Sequence, residues 1–397
     1  MNYYIVITPF FPSPTSWRGA YVLDQIKAIQ RNSDYKLVVF KPGMEDYEIE
    51  GISVYSFKTL NTRSFLFEGI YDYTNARHFI NRLKELKLNI NAIKFAHCHT
   101  CHYAAFGLIL KKLNENIKVL VQHHDLDPFM VRNGIFSTCP INSNFRARNA
   151  MNLFKKVDLH ICISEPCRDN LLNFPHPRPG EYDAKYISVL KTIKGVKSLT
   201  PKAMYILNNG VNINIFTQKV QKAQYKTFRI GCIANFVELK GHITLLRAFK
   251  LLIDKGYKDM RLSLLGTGPT KSKCKRFVDY SGILPYIEWP NEVSHNDLAD
   301  YYHTLDLYAM PSSFEGFGCV YTEAAACGIP FVGCYNNGAA ECIDQQERDK
   351  WLVQPGDYEK LAKIIERQYV KREKQSLCKP YDINILVSDF LNYLNRL

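Results

Sequence analysis

Short apolar runs alternate with longer stretches of helical spacing along this chain. Tyr3–Thr8 reads as a buried strand, followed by a Pro-rich loop to Gly19. Over Tyr21–Gln30 the apolar positions Val22, Ile26 and Ile29 fall on one helical face. Further strands are predicted at Lys36–Phe40, Phe95–His97, Lys118–Gln122 and Leu159–Ile163. Helices are predicted at Tyr71–Lys87, Tyr103–Leu113 and Arg146–Lys156. Strands that alternate with helices form parallel βαβ units, so the class is α/β. The pattern then restarts, with strands at Arg229–Ala234, Arg261–Leu265, Leu305–Met310 and Ile329–Gly333. Helices at His242–Lys255 and Val320–Cys327 separate them. The polar stretch from Lys197 to Phe228 is the natural boundary. We expect two βαβ domains, residues 1–205 and 206–379. A last amphipathic helix, Ile383–Leu394 within 380–397, is read as crossing back to the first domain. No repeat of 20–50 residues is visible.

Composition narrows the class. The 397 residues are 46% hydrophobic and 22% charged, which suits large folded cores and excludes whole-chain disorder. Twelve cysteines scattered through so long a chain do not make a disulfide scaffold. Cys162, Cys232, Cys319 and Cys327 sit in apolar runs and read as small core residues. The first residues, MNYYIVITPFFPSP, have no basic leader and break at Pro12, unlike a secretory signal. No run reaches the 18 or so apolar residues of a membrane span. The expectation is a cytoplasmic protein with reduced thiols. Lys and Arg number 51 against 38 Asp and Glu, a net +13 that calls for an anionic partner.

The densest chemistry lies in Pro311–Glu323, PSSFEGFGCVYTE, followed by AAACGIPFVG. Glu315 follows a strand and opens a Gly-Phe-Gly loop. Gly316 and Gly318 let backbone N–H groups approach a ligand with no Cβ in the way. The next helix starts beside the loop, so its N-terminus suits an anion. Glu323, one or two turns along, can accept hydrogen bonds from two adjacent hydroxyls, as on a ribose.

This segment resembles the Glu-x7-Glu signature of glycosyltransferase family 4, whose members are retaining enzymes of the GT-B fold. Other segments are similar in order. Ile206–Phe216, ILNNGVNINIF, resembles the Asn-Gly-Val entry to the second domain. Ala234–Gly241, ANFVELKG, resembles the Gly-Arg-Leu-x3-Lys-Gly stretch, with Asn235 where the family has arginine. Leu264–Pro269, LLGTGP, and Tyr301–Ser313, YYHTLDLYAMPSS, match the turn near the nucleotide and the run into the first glutamate. The N-terminal half is looser: Trp17–Tyr21 resembles the loop after the first strand, with Gly19 in place of a glycine pair. Lys118–Phe129, KVLVQHHDLDPF, resembles the acceptor-side strand.

The resemblance implies two Rossmann-like domains facing across a cleft, acceptor-side first and donor-binding second. It implies a UDP- or GDP-linked sugar donor and a sugar or lipid-linked acceptor, without cofactor or metal. It gives Glu315, Lys240 and His124 catalytic roles, with His123 as the competing register for the histidine. Gly19, Asn235, Gly266, Gly268, Gly316, Phe317, Gly318 and Glu323 would line the donor, and His99 the acceptor side. Front-face displacement is the implied route, the departing phosphate oxygen helping to take the acceptor's proton. Many bacterial relatives build capsule, lipopolysaccharide or exopolysaccharide, which implies surface-glycan assembly.

Two motifs compete. His97–His102, HCHTCH, contains the haem-attachment spelling Cys98-His99-Thr100-Cys101-His102 and five potential zinc ligands. Alternation along a strand would send these side chains to opposite faces, which disfavours one metal centre. Asp125-Leu126-Asp127 spells the Asp-x-Asp that bridges a metal to a diphosphate in metal-dependent glycosyltransferases. A nucleotide-sugar epimerase of the same fold is a further alternative. No basic, aromatic-interleaved module points to nucleic acid. Residues 146–229 hold 15 Lys and Arg against 5 Asp and Glu, a surplus of 10. That concentration suits docking on an anionic inner-membrane face.

Overall fold

A computed structural model describes residues 2–60, 70–124, 127–128, 140–176, 184–219, 227–291, 293–335 and 337–397. The chain divides into two compact units. Residues 1–209 with 383–397 form the first, and 210–382 the second.

Unit 1 is built on eight strands: β1 (Tyr3–Ile7), β2 (Lys36–Pro42), β3 (Tyr47–Ile49), β4 (Ile52–Phe57), β5 (Ile93–His99), β6 (Lys118–His123), β7 (Leu159–Cys162) and β8 (Met204–Ile206). Their spatial order is β3-β4-β2-β1-β5-β6-β7-β8. Only β3 and β4 pair antiparallel. The chain builds outward from β1 through β2 to β4, then returns to β5 on the other side of β1. The switch point of the sheet therefore lies between the carboxyl ends of β1 and β5. In open α/β sheets ligands bind outside such a point.

The strand expected at Phe95–His97 extends over Ile93–His99, so His97 and His99 share one face and Cys98 takes the other. The polar stretch expected as a linker contributes β8 to this sheet, beside β7. The terminal helix, Ile383–Leu394, is part of unit 1. Its Ile383, Val387, Phe390, Leu391 and Leu394 are buried in the same core as Val22, Ile26 and Ile29 of the helix Ala20–Arg31. Arg31 Nε donates to Asn384 Oδ1 at 2.9 Å. Five such apolar side chains stabilise unit 1 by about 10 kcal/mol as an upper estimate.

Unit 2 has six strands: β9 (Phe228–Ile233), β10 (Met260–Leu265), β11 (Ile287–Glu288), β12 (Leu307–Ala309), β13 (Phe331–Cys334) and β14 (Leu352–Val353). The order is β11-β10-β9-β12-β13-β14, all parallel. The same logic puts its switch point between β9 and β12. Leu305 packs where a Cβ on Gly231 would sit, 2.3 Å from its Cδ1, so any side chain there would push the Leu305 side chain aside. Sequence reading left out the helices Lys271–Ser281 and Tyr358–Lys371.

Candidate active site

In unit 2, the loops leaving β9 and β12 are stitched together at the switch point. Leu239 O accepts from Ser313 N at 2.7 Å and from Ser312 Oγ at 2.8 Å. Gly241 sits at φ +70, and a Cβ there would lie 2.1 Å from Pro311 O. This close approach brings Lys240 and Glu315 together although 75 residues separate them. Lys240 Nζ donates to Glu315 Oε1 at 2.5 Å. Glu315 is buried and Lys240 half-buried. The ammonium keeps two further donors, and the carboxylate keeps its second oxygen.

Glu315 is held from behind. Gly338 N donates to Glu315 O at 3.3 Å, and Asn337 Nδ2 donates to Ser312 O at 3.2 Å. Gly318, at φ +82, precedes the helix Cys319–Ala326. A Cβ on it would meet the Tyr321 ring at 2.6 Å. The Phe317 ring is buried against Tyr381, centroids 5.6 Å apart, so only its backbone can face a ligand. Glu323, also buried, accepts from Tyr302 Oη at 2.9 Å. Burial, and then the Glu323 charge, raise the Tyr302 hydroxyl far above the usual phenol range, so it stays a donor. Sequence reading missed Tyr302; its place in a helix 21 residues before Glu323 gave no local signal.

Gly266 and Gly268 have a packing role. Their absent Cβ atoms would collide with Ala234 O at 2.1 Å and Phe236 O at 2.5 Å. The turn they make lies against the β9 loop, with Phe236 N donating to Thr267 O at 2.7 Å. Asn235, on that loop, is exposed. The helix Lys271–Ser281 that follows this turn begins with a cation the sequence reading left out. Lys271 Nζ donates to Gly266 O at 2.7 Å and lies 5.3 Å from the Phe236 ring centroid. His242 stacks on Phe236 at 4.1 Å, and burial, then Lys240, lower its pKa to about 4.

In unit 1, the switch point is lined by histidines. His99 ends β5, and its Nδ1 lies 2.8 Å from Nε2 of His124, just past β6. One of the two nitrogens must carry the shared proton. His124 Nδ1 is buried and has no hydrogen-bond partner among the described residues. The Phe10 and Tyr21 rings flank His124 at 5.2 and 5.5 Å. Phe10 and Tyr21 bracket Gly19, which at φ +90 opens the helix Ala20–Arg31 with the Phe10 backbone 3.0 Å from its absent Cβ. So Gly19, His99 and His124 are brought to one place. Burial first, and the neighbouring His97 and His123 next, lower His124 to about 3. His99 lies well below the usual histidine range for the same first cause.

His123 faces elsewhere. Its Nδ1 is 2.7 Å from Asp127 Oδ2, and its Nε2 is 3.0 Å from His160 Nδ1. Asp127 is thereby buried and engaged by a ring nitrogen, a poor start for a metal bridge. Asp125 lies outside the described residues. Cys98 and Cys101 are fully buried, Cys98 beneath the helix Ala104–Leu113, where its Sγ fills the space beside Gly107. That placement leaves no room for haem attachment. Among the described residues, no three His, Cys, Asp or Glu side chains converge as metal ligands.

A family model described as Glycosyltransferase Family 4 matches residues 19–180, and one described as Glycosyl transferases group 1 matches residues 227–369. Together they cover more than three quarters of the chain. The chain belongs to glycosyltransferase family 4. This family-4 chain is 29% identical over 157 residues to the capsular polysaccharide biosynthesis glycosyltransferase CapM of Staphylococcus aureus, covering 39% of this chain and 40% of CapM. It is 29% identical over 121 residues to a GDP-mannose-dependent phosphatidylinositol monomannoside mannosyltransferase of Mycolicibacterium smegmatis, covering 29% and 31%. The match thus spans less than half the length of either curated relative. Anabaena HepE, solved with UDP and glucose, superposes with a TM-score of 0.68 at 17% identity, covering all of both chains. The fold is GT-B, with two Rossmann-like units.

Proposed function

We propose that this chain moves a sugar from a nucleotide-sugar donor to an acceptor hydroxyl, with retention at the sugar carbon and without a metal ion. The Lys240–Glu315 pair at the switch point of unit 2 carries the reading. There a compact cation meets a glycine loop and a helix N-terminus, the means of holding a diphosphate. Glu323, oriented by Tyr302, takes the ribose hydroxyls. Glu315 takes a hydroxyl of the donor sugar on its second oxygen. Lys240 and the Gly316–Gly318 backbone balance the charge that grows on the departing phosphate, whose oxygen takes the acceptor's proton. Gly266 and Gly268 shape the β9 loop that carries Asn235, and Gly19 shapes the loop beside His124. In unit 1, His124 Nδ1, held by His99, binds a sugar hydroxyl.

HepE binds UDP and the mycobacterial relative uses GDP-mannose, so both bases belong in a donor screen. CapM's role supports a capsule or related surface glycan as the product. We place the reaction on the inner face of the cytoplasmic membrane. The basic surplus of residues 146–229 supports this, and no helix among the described residues is long and apolar enough to cross a membrane.

The test is nucleotide release from UDP- and GDP-sugars in EDTA, with and without a lipid-diphosphate acceptor. Acceptor-dependent release is expected, with Lys240→Ala and Glu323→Ala each at least about tenfold slower, near 1.4 kcal/mol. Full activity in both variants, or activity only with added Mn²⁺, would overturn the site assignment. Interconversion of nucleotide sugars without acceptor would favour an epimerase.

A further inference from the structure

A pair of cysteines in unit 2 lies outside the proposed reaction. Ile343 and Leu377 form an isolated antiparallel bridge, and Cys378 N donates to Cys342 O at 3.1 Å. Cys342 and Cys378 therefore stand directly opposite one another. A hydrogen-bonded antiparallel pair sets its Cα atoms about 5.5 Å apart. That is inside the range of about 4.4–6.8 Å that a disulfide spans.

The side chains share one side of the bridge. Tyr381 Oη lies 3.3 Å from Cys378 Sγ, and Cys378 Sγ in turn donates at 2.8 Å to the carbonyl of Glu341, the residue before Cys342. Among the described cysteines, Cys378 alone is exposed, while Cys342 is fully buried. The Lys379 ammonium lies 5.3 Å from the Tyr381 ring centroid on the same short segment. This is the arrangement of an accessible attacking thiol with a shielded resolving partner.

We propose that Cys342 and Cys378 form a reversible disulfide, making this corner of unit 2 a site of modification by small disulfides such as oxidised glutathione. The Cys378 thiolate attacks one sulfur of oxidised glutathione. That S–S bond breaks, and one glutathione leaves as thiolate and takes a proton from water. The Cys342 thiol then loses its proton and attacks the Cys378 sulfur, releasing the second glutathione. Two protein thiols are oxidised and one glutathione disulfide is reduced to two thiols.

The link reaches the donor loop from behind. The Tyr381 ring packs on Phe317, and Gly338, four residues before Cys342, is so close to Phe317 that a Cβ would lie 2.3 Å from its Cα. A disulfide would tie residues 378–382 to the helix Gly338–Cys342 that supports this loop.

The test is the full chain equilibrated in oxidised and reduced glutathione mixtures, then alkylated, digested and weighed by mass spectrometry. Peptides holding Cys342 and Cys378 are expected joined, with both thiols protected from alkylation together. Cys378→Ser, at an exposed position, should abolish the link and leave Cys342 reduced. Cys342→Ala should leave Cys378 carrying glutathione. A stable glutathione adduct on Cys378 in the native chain, with Cys342 free, would overturn the proposal. So would two thiols that stay alkylatable at every ratio. Neither readout depends on glycosyl transfer.

Discussion

Acidification from pH 7.5 to 5 should destabilise unit 1 far more than unit 2. Burial lowers His97 to about 3 against a hydrogen bond with Gln122. Burial and the His123 charge lower His160 to about 3, and His124 also lies near 3. An unfolded histidine titrates near 6.5, so each of these groups stabilises the fold above that pH. The contribution is lost as pH falls below 6.5 toward the folded pKa. At pH 5 the loss is about 2 kcal/mol per group, and it does not depend on how far below 5 the folded value lies. Three such groups make about 6 kcal/mol, and His99 acts in the same direction.

His102 opposes them. Burial alone would lower it, but Cys101 and Asp72 raise it above the usual range. Its contribution is full below 6.5 and is lost as pH rises through the folded pKa. Descending from pH 7.5 therefore restores up to about 1.4 kcal/mol. The net loss of about 5 kcal/mol or more is comparable to the whole stability of a typical domain. In unit 2, His242 at about 4 costs only about 2 kcal/mol. Hydrogen exchange read by mass spectrometry at both pH values, corrected for intrinsic rates, resolves the two units. Protection should collapse first in β1, β5 and β6. Equal protection in both units at pH 5, or earlier loss in β9 and β12, would refute the reasoning.

Gly241→Ala should cost about 2–4 kcal/mol in urea unfolding, combining a left-handed backbone with the collision at Pro311 O. Gly256→Ala, at φ +103 in open space, should lose only the backbone part, and equal losses would remove the collision from the account. Tyr302→Phe removes the hydrogen bond that Tyr302 donates to the buried Glu323 carboxylate, worth about 1.5–3 kcal/mol for a hydrogen bond to a charge. Nucleotide affinity by calorimetry should fall at least about tenfold, and an unchanged affinity would separate Tyr302 from the ribose site. His99→Ala should slow turnover at least about tenfold while His99→Asn, which keeps a polar atom near the Nδ1 position, recovers most of it. Equal rates in the two variants would show that His99 acts by bulk alone.

The local pattern carried much of this protein. Alternation of short apolar runs and helical spacing gave the α/β class, because burial on both faces makes parallel strands uniformly apolar. The amphipathic period of Ile383–Leu394 likewise marked a helix with one buried face. The weakest elements, such as β8 and the edge strand β3, were not legible. They are short and half-exposed, and their pairing depends on neighbours distant in sequence.

The site divides in the same way. The sequence determined which residues could bear the chemistry: a glutamate before a glycine loop, a second glutamate on the next helix, a Lys-Gly turn and a histidine past a strand. Only the tertiary structure decided which of them meet. The crossover of strands brings Lys240 to Glu315, and Ser312 and Ser313 lock the two loops through Leu239 O. Strand register turns His124 toward His99 and His123 toward Asp127, although the two residues are adjacent in the chain. Gly266 looks like a ligand glycine in sequence, yet its missing Cβ makes room for Ala234 O. Side-chain identity is a local property, whereas distance and burial are set by the whole sheet.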